Sequence, residues 1–73
     1  MRVIVRQQSI MSACMEGALA NRFLESMLPN LINVPSKDPS KHTCYRPKKD
    51  MVFGKRGDLL VYLWDDTAIT VEH

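Results

Sequence analysis

Two cysteines and two histidines are the residues of this chain that could bind a metal ion or act as a nucleophile and its base. His42 and Cys44 lie close together in a proline-rich stretch, whereas Cys14 is far upstream and His73 is far downstream. Structural zinc sites normally use two closely spaced pairs of ligands, and this chain offers one pair. We therefore predict free thiols and no bound metal, with Cys14 as a buried helix residue. A zinc site built from all four residues is the alternative.

The other residues that could take part in catalysis are equally isolated. A nucleophile made from the same cysteine and histidine residues would lack a third group to orient the base. Asp65 and Asp66 would point to opposite faces of a strand, and such a pair is typical of a hairpin turn. Gly54 and Gly57 lie between two predicted strands, whereas a phosphate-binding loop joins a strand to a helix. The sequence therefore predicts a protein that is not an enzyme and needs no cofactor.

Charge is distributed unevenly along the chain. Residues 37–56 contain seven Lys or Arg and two Asp, a net charge of +5, whereas residues 57–73 contain four acidic residues and no Lys or Arg. The basic segment could steer a charged partner, or the two segments could simply attract each other. Because the whole chain carries only +2, an acidic protein surface is a better match than free nucleic acid. The predicted partner-binding residues are Tyr45, Arg46, Lys48, Lys49, Lys55, Arg56 and Trp64.

These residues also have purely structural interpretations. Runs of lysine are commonly only solvated surface. Trp64 could anchor an interface, but a single tryptophan is more often part of the core. Aromatic residues interleaved with cations would also suit single-stranded nucleic acid, which makes nearby nucleic acid a second candidate partner.

Local patterns predict the elements that must position this basic segment. Residues 2–7 are predicted as a strand because they contain three consecutive β-branched residues. Residues 13–28 repeat apolar side chains at helical spacing, with Ser9 or Ser12 as the cap and Pro29 as the end. The prolines between residues 29 and 50 predict an irregular basic loop at 35–50, preceded by a few apolar residues pinned to the core.

The last third of the chain is predicted as three strands, at 51–53, 59–64 and 67–71. The middle run is apolar on both faces, so it is predicted to be the central strand of the sheet, packed against the helix. The predicted fold is therefore α+β, a small antiparallel or mixed βαβββ sheet with one helix packed on it. A chain of 73 residues fits one domain, spanning 1–73.

The sequence also predicts where the protein works. Only three consecutive apolar residues precede Arg6, too few for the core of a signal peptide or for a membrane span. Two cysteines do not make a disulfide framework, which favours a reducing cytoplasmic compartment without membrane attachment.

The length, the short first strand, the methionine-rich helix, the basic loop and the terminal hairpin together resemble small bacteriophage proteins of host takeover. More narrowly, the chain resembles the RNA polymerase-binding transcription inhibitors and antiterminators of lytic Xanthomonas phages. The resemblance implies binding of host RNA polymerase near the start of its β′ subunit, inhibition of host promoters, read-through of terminators, and location in the cytoplasm of an infected bacterium. It carries over no functional residue. A small nucleic-acid-binding module, such as a single-strand binder or repressor, is the alternative.

Overall fold

The computed structural model describes residues 1–7, 10–56 and 59–73, and for residues 10–12, 51–56 and 59–62 it describes the backbone only. The elements are β1 (Arg2–Gln7), β2 (Ile10–Glu16), α1 (Gly17–Met27), a 3-10 turn (Leu28–Asn30), β3 (Leu31–Val34), β4 (His42–Pro47), β5 (Met51–Arg56), β6 (Leu59–Leu63) and β7 (Ala68–Glu72). One helix packs on a five-stranded antiparallel sheet, so the predicted α+β class is confirmed.

The five-stranded sheet has the order β2-β1-β7-β4-β3, and every neighbouring pair is antiparallel. Strand β7 is therefore the central strand, although it comes last in the sequence. Strands β5 and β6 form a separate two-stranded hairpin. This hairpin is inserted between β4 and β7, so the chain leaves the sheet after β4 and returns to it at β7.

The core lies between α1 and one face of the sheet, which we call the inner face. Alternate residues of β1 and β7 point inward, and Val3, Val5, Ile69 and Val71 are at most 2% exposed. The helix, the start of β3 and the end of β6 complete the cluster with Ala20, Phe23, Met27, Leu31 and Leu63. The opposite, outer face carries the residues that alternate with these, namely Arg2, Ile4, Arg6, His42, Cys44, Arg46, Ala68, Thr70 and Glu72.

The helix begins later than the sequence predicts. Residues 13–16 belong to β2, because pairing with β1 places Met15 beside Val3 and Ala13 beside Val5 on the inner face. Glu16 is the residue before the helix, with extended backbone and no side-chain cap, so capping by Ser12 is wrong; Ser9 lies outside the described residues. The same change places Cys14 on β2 with its side chain exposed, so the predicted buried helix position is also wrong.

Gly17 makes the change from strand to helix possible. Its φ of 62° lies in the left-handed region, which glycine adopts without the steric cost that a Cβ imposes. The helix predicted over residues 13–28 would contain Gly17 in its interior. Gly17 is instead the first residue of α1.

The run from Leu59 to Trp64 is not the central strand. Strand β6 pairs only with β5, its neighbour in the chain, while α1 contacts β1 and β2. Leu63 is fully buried, but Trp64 lies beyond the end of β6 with 42% of its surface exposed. Because the run is apolar on both faces, the sequence predicted burial, and this is correct at Leu63. The strand itself pairs with its neighbour β5 in a local hairpin and is not part of the five-stranded sheet.

The predicted irregular loop at 35–50 contains strand β4. Thr43, Cys44 and Tyr45 favour extended backbone, and β4 pairs with β3 on one side and β7 on the other. Pro47 ends the strand and is buried, while residues 35–41 and 48–50 lie outside the strands. The prolines therefore flank or end the strand and do not prevent it.

Candidate binding surface

Three of the predicted binding residues lie together where β4 leaves the sheet. Arg46 is exposed on the outer face near the end of β4, and Lys48 and Lys49 are exposed directly after the strand. Trp64 is exposed where the chain comes back toward β7. We call these four residues, Arg46, Lys48, Lys49 and Trp64, the basic corner.

Backbone hydrogen bonds hold both chain segments of the basic corner. The Lys48 N–H donates to the Asn30 carbonyl at 2.9 Å, which ties the lysines to the start of β3. The Asp65 N–H donates to the Asp50 carboxylate at 2.9 Å and joins the outgoing chain to the returning one. These contacts bring residues 48–50 and 64–65 together although they are far apart in the sequence.

Trp64 is presented by a tight turn with a buried anchor. Its N–H donates to the Thr67 hydroxyl at 3.0 Å, and the Thr67 N–H donates to the Trp64 carbonyl at 2.9 Å. Thr67 is fully buried and also accepts a hydrogen bond from the Gln7 side-chain amide at 3.3 Å. The turn at Asp65 and Asp66 is the one that the sequence predicts. The turn thus holds Trp64 in position while the residue stays exposed. The alternative interpretation of Trp64 as a core residue is therefore wrong.

None of the contacts that the structure describes places the other three predicted binding residues, Tyr45, Lys55 and Arg56, at the basic corner. Tyr45 is half-buried and packs against the core, on the face opposite Arg46. Lys55 and Arg56 end strand β5, and their side chains lie outside the described residues. The corner also has acidic neighbours, since Asp50, Asp65 and Asp66 are exposed on the same chain segments. The surface is therefore of mixed charge and is not a continuous basic patch.

The acidic tail does not simply neutralise the basic segment. Glu72 lies on β7 between Arg2 on β1 and His42 on β4. Its carboxylate accepts a hydrogen bond from Arg2 Nε at 2.6 Å and lies 3.4 Å from His42 Nε2. Nearby, Thr43 Oγ1 and His73 Nε2 are 2.6 Å apart. This charged row lies at the opposite end of the sheet from the basic corner.

The Arg2–Glu72–His42 row predicts a specific response to acid. Desolvation raises the pKa of Glu72, but the hydrogen bond and charge of Arg2, followed by those of His42, lower it below its ordinary value of 4.5. A carboxyl group with a lowered folded pKa contributes stability above its unfolded pKa, and that contribution is lost as the pH falls through the folded pKa. We expect Glu72→Gln to remove this part of the acid dependence.

The measurement is the urea midpoint of the wild type and of Glu72→Gln from neutral pH down through the carboxyl range. The two midpoints should differ at neutral pH and converge in acid. Glu25→Gln is the matched control, because Glu25 is exposed on the helix and forms no ion pair with any side chain that the structure describes. A constant difference between wild type and Glu72→Gln at every pH would contradict the prediction.

The two cysteines are free thiols, as predicted. Cys14 pairs with Ile4, and Cys44 pairs with Thr70 in the same row of the outer face. Three strand spacings of about 4.8 Å separate them, roughly 14 Å in all, which a disulfide cannot span. Within the part of the chain that the structure describes, no group of three or more His, Cys, Asp or Glu side chains is arranged to hold a metal ion.

Comparison of the chain with family models, curated proteins and solved structures gives no significant match. Among the described residues, no helix is long and apolar enough to cross a membrane.

Proposed function

We propose that this protein is a non-enzymatic phage regulator that binds host RNA polymerase in the bacterial cytoplasm, inhibits host transcription and promotes antitermination. The observation that carries the proposal is the basic corner, where Arg46, Lys48 and Lys49 are exposed on one chain segment and Trp64 is exposed on the segment that the Asp65–Asp50 hydrogen bond joins to it. Interfaces often combine an aromatic or arginine anchor with a polar rim, and the basic corner supplies both parts. The resemblance to phage inhibitors and antiterminators supplies the identity of the partner.

Regulation of this kind requires binding and no chemistry. A small domain that prefers one functional state of polymerase over another shifts the balance between them by its difference in affinity. About 1.4 kcal/mol of difference changes such a balance tenfold. The protein would act stoichiometrically, on an acidic surface of polymerase.

A small single-strand-binding module is the second candidate function. It is favoured by the 42% exposure of Trp64 next to lysines, because bases stack on accessible aromatic rings while phosphates pair with cations. The three aspartates on the same segments weigh against it, since they would repel a continuous phosphate backbone.

Charge reversal in the basic corner tests the proposal. We expect Lys48→Glu with Lys49→Glu to keep the fold, because exposed lysines contribute little stability, and to slow association with polymerase. The control is Lys37→Glu with Lys41→Glu, an identical charge change at exposed positions before the start of β4. Pull-down from bacterial extract identifies the partner, and stopped-flow or surface-based kinetics with purified polymerase gives the on-rate.

The outcomes separate the candidates. A slower on-rate for the corner variant than for the control supports the proposal. Equal rates for both variants would show that the corner is only solvated surface. Recovery of nucleic acid and no polymerase, with tight binding of labelled single strands, would favour the second candidate.

A further inference from the structure

Two arginines lie on either side of one alanine on the outer face of the sheet. Arg6 on β1 pairs with Ala68 on β7. On the other side of β7, Tyr45 pairs with Ile69, so the next residue of β4, Arg46, lies beside Ala68. The three strands thus place Arg6, Ala68 and Arg46 in one row, although the residues are spread over most of the chain.

The burial of neighbouring residues fixes the face on which this row lies. Val5 and Ile69 are in the core, and Tyr45 packs against it, so the residue next to each of them points outward. Arg6, Arg46 and Ala68 are all exposed. The irregularity between Val5 and Arg6 affects the pairing of β1 with β2, whereas the pairing of β1 with β7 is continuous.

At the other end of the outer face, a similar row of three residues contains a carboxylate between two basic side chains. There, β7 contributes Glu72 between Arg2 and His42, and its carboxylate pairs with both. Beside Arg6 and Arg46, the equivalent position of β7 is Ala68, which has no carboxylate. Among the described residues, the ion pairs are those of Glu72, and neither Arg6 nor Arg46 takes part in one. The methyl group of Ala68 leaves space above the strand where a carboxylate could lie.

The spacing suits a ligand group placed between the two side chains. Two strand spacings put the backbones of Arg6 and Arg46 about 10 Å apart, and both side chains can reach inward over a small residue. Guanidinium groups bind carboxylates in a fixed, often bidentate geometry. In the adjoining row, Thr70 and Cys44 are half-buried and would contact a small neighbour of the acidic residue, whereas Ile4 is buried.

We propose that Arg6 and Arg46 bind an aspartate or glutamate side chain of an acidic peptide segment of the partner, directly over Ala68. This inference rests on the proposed function, because it names the chemistry that the basic corner and the adjoining outer face would recognise on polymerase. A peptide suits the site better than a nucleic acid, because it can deliver one carboxylate to the row while avoiding Asp50, Asp65 and Asp66.

The direct test is an NMR titration of the protein with a ten-residue glycine–serine peptide that carries one central glutamate and blocked termini, with an oligothymidylate of equal length in parallel. The peptide should cause saturable shifts at the Arg6 and Arg46 side-chain N–H signals and at the Ala68 amide. Arg6→Gln with Arg46→Gln should weaken peptide binding at least tenfold, because two charged donors are lost. Arg22→Gln, at an exposed position on α1, should change it less than twofold.

The inference is overturned if the peptide causes no saturable shifts, if the shifts exclude the row, or if the thymidylate binds more tightly than the peptide. The polymerase pull-down is scored separately. Peptide binding at the row without capture of polymerase would reject the proposed partner and keep the site. Capture of polymerase at an unchanged rate by the double glutamine variant would reject the site and keep the partner.

Discussion

Replacing Phe23 with alanine should lower the free energy of unfolding by about 3–5 kcal/mol, enough to unfold much of a domain this small. Phe23 is only 7% exposed and belongs to the cluster that α1 forms with the inner face of the sheet. Removal of its ring would leave a cavity that the short helix can fill only in part. Urea denaturation followed by circular dichroism gives the change in free energy.

Leu19→Ala on the same helix is the matched control for Phe23→Ala. Leu19 is 41% exposed, although it lies four residues before Phe23, a spacing that places two side chains on the same side of a helix. Its truncation should therefore cost much less than that of Phe23. Equal losses at the two positions would mean that the helix packs on the sheet with a different face.

Ile69→Ala should lower the free energy of unfolding by about 2–5 kcal/mol. Ile69 is fully buried on β7, the strand that pairs with β1 on one side and β4 on the other. The same substitution at Ile32 is the control, because that residue lies on the edge strand β3 with 36% of its surface exposed.

The comparison of Ile69→Ala with Ile32→Ala tests the strand order directly. We expect the central position to be several times more sensitive than the edge position in equilibrium denaturation. Similar losses for the two variants would contradict the placement of β7 at the centre of the sheet.

Local patterns predicted those elements that depend on nearby residues. Strand β1 has the predicted bounds because its three β-branched residues have no competing helical period. Residues 13–16 were ambiguous, since Ala13 and Met15 fit an alternating strand while Met15 and Leu19 fit a helix. Pairing with β1 decided in favour of the strand. The central position of β7 depends on long-range pairing, which a local pattern does not contain.

For the candidate site, too, the sequence predicted the features that depend on nearby residues and not those that depend on strand order. Exposure of Arg46, Lys48 and Lys49 follows from their charge and from the prolines around them. Arg6 was not among the predicted binding residues, because it lies near Arg46 only when β7 is placed between β1 and β4. The signal in the sequence was the alternation of Arg2, Ile4 and Arg6, which puts both arginines on one face of a strand.

The position of β7 also bears on how the protein folds. Without β7, the sheet divides into two separate hairpins, β1 with β2 and β3 with β4, because β7 supplies every strand pairing between them. In the folding chain, either hairpin can form from contacts near in sequence, but the edge of β1 that β7 covers stays open until residues 68–72 pair with it. Sheet closure by a distant strand is slow, and open edges invite pairing with other chains. The folding chain is therefore exposed to aggregation until β7 inserts between the two hairpins.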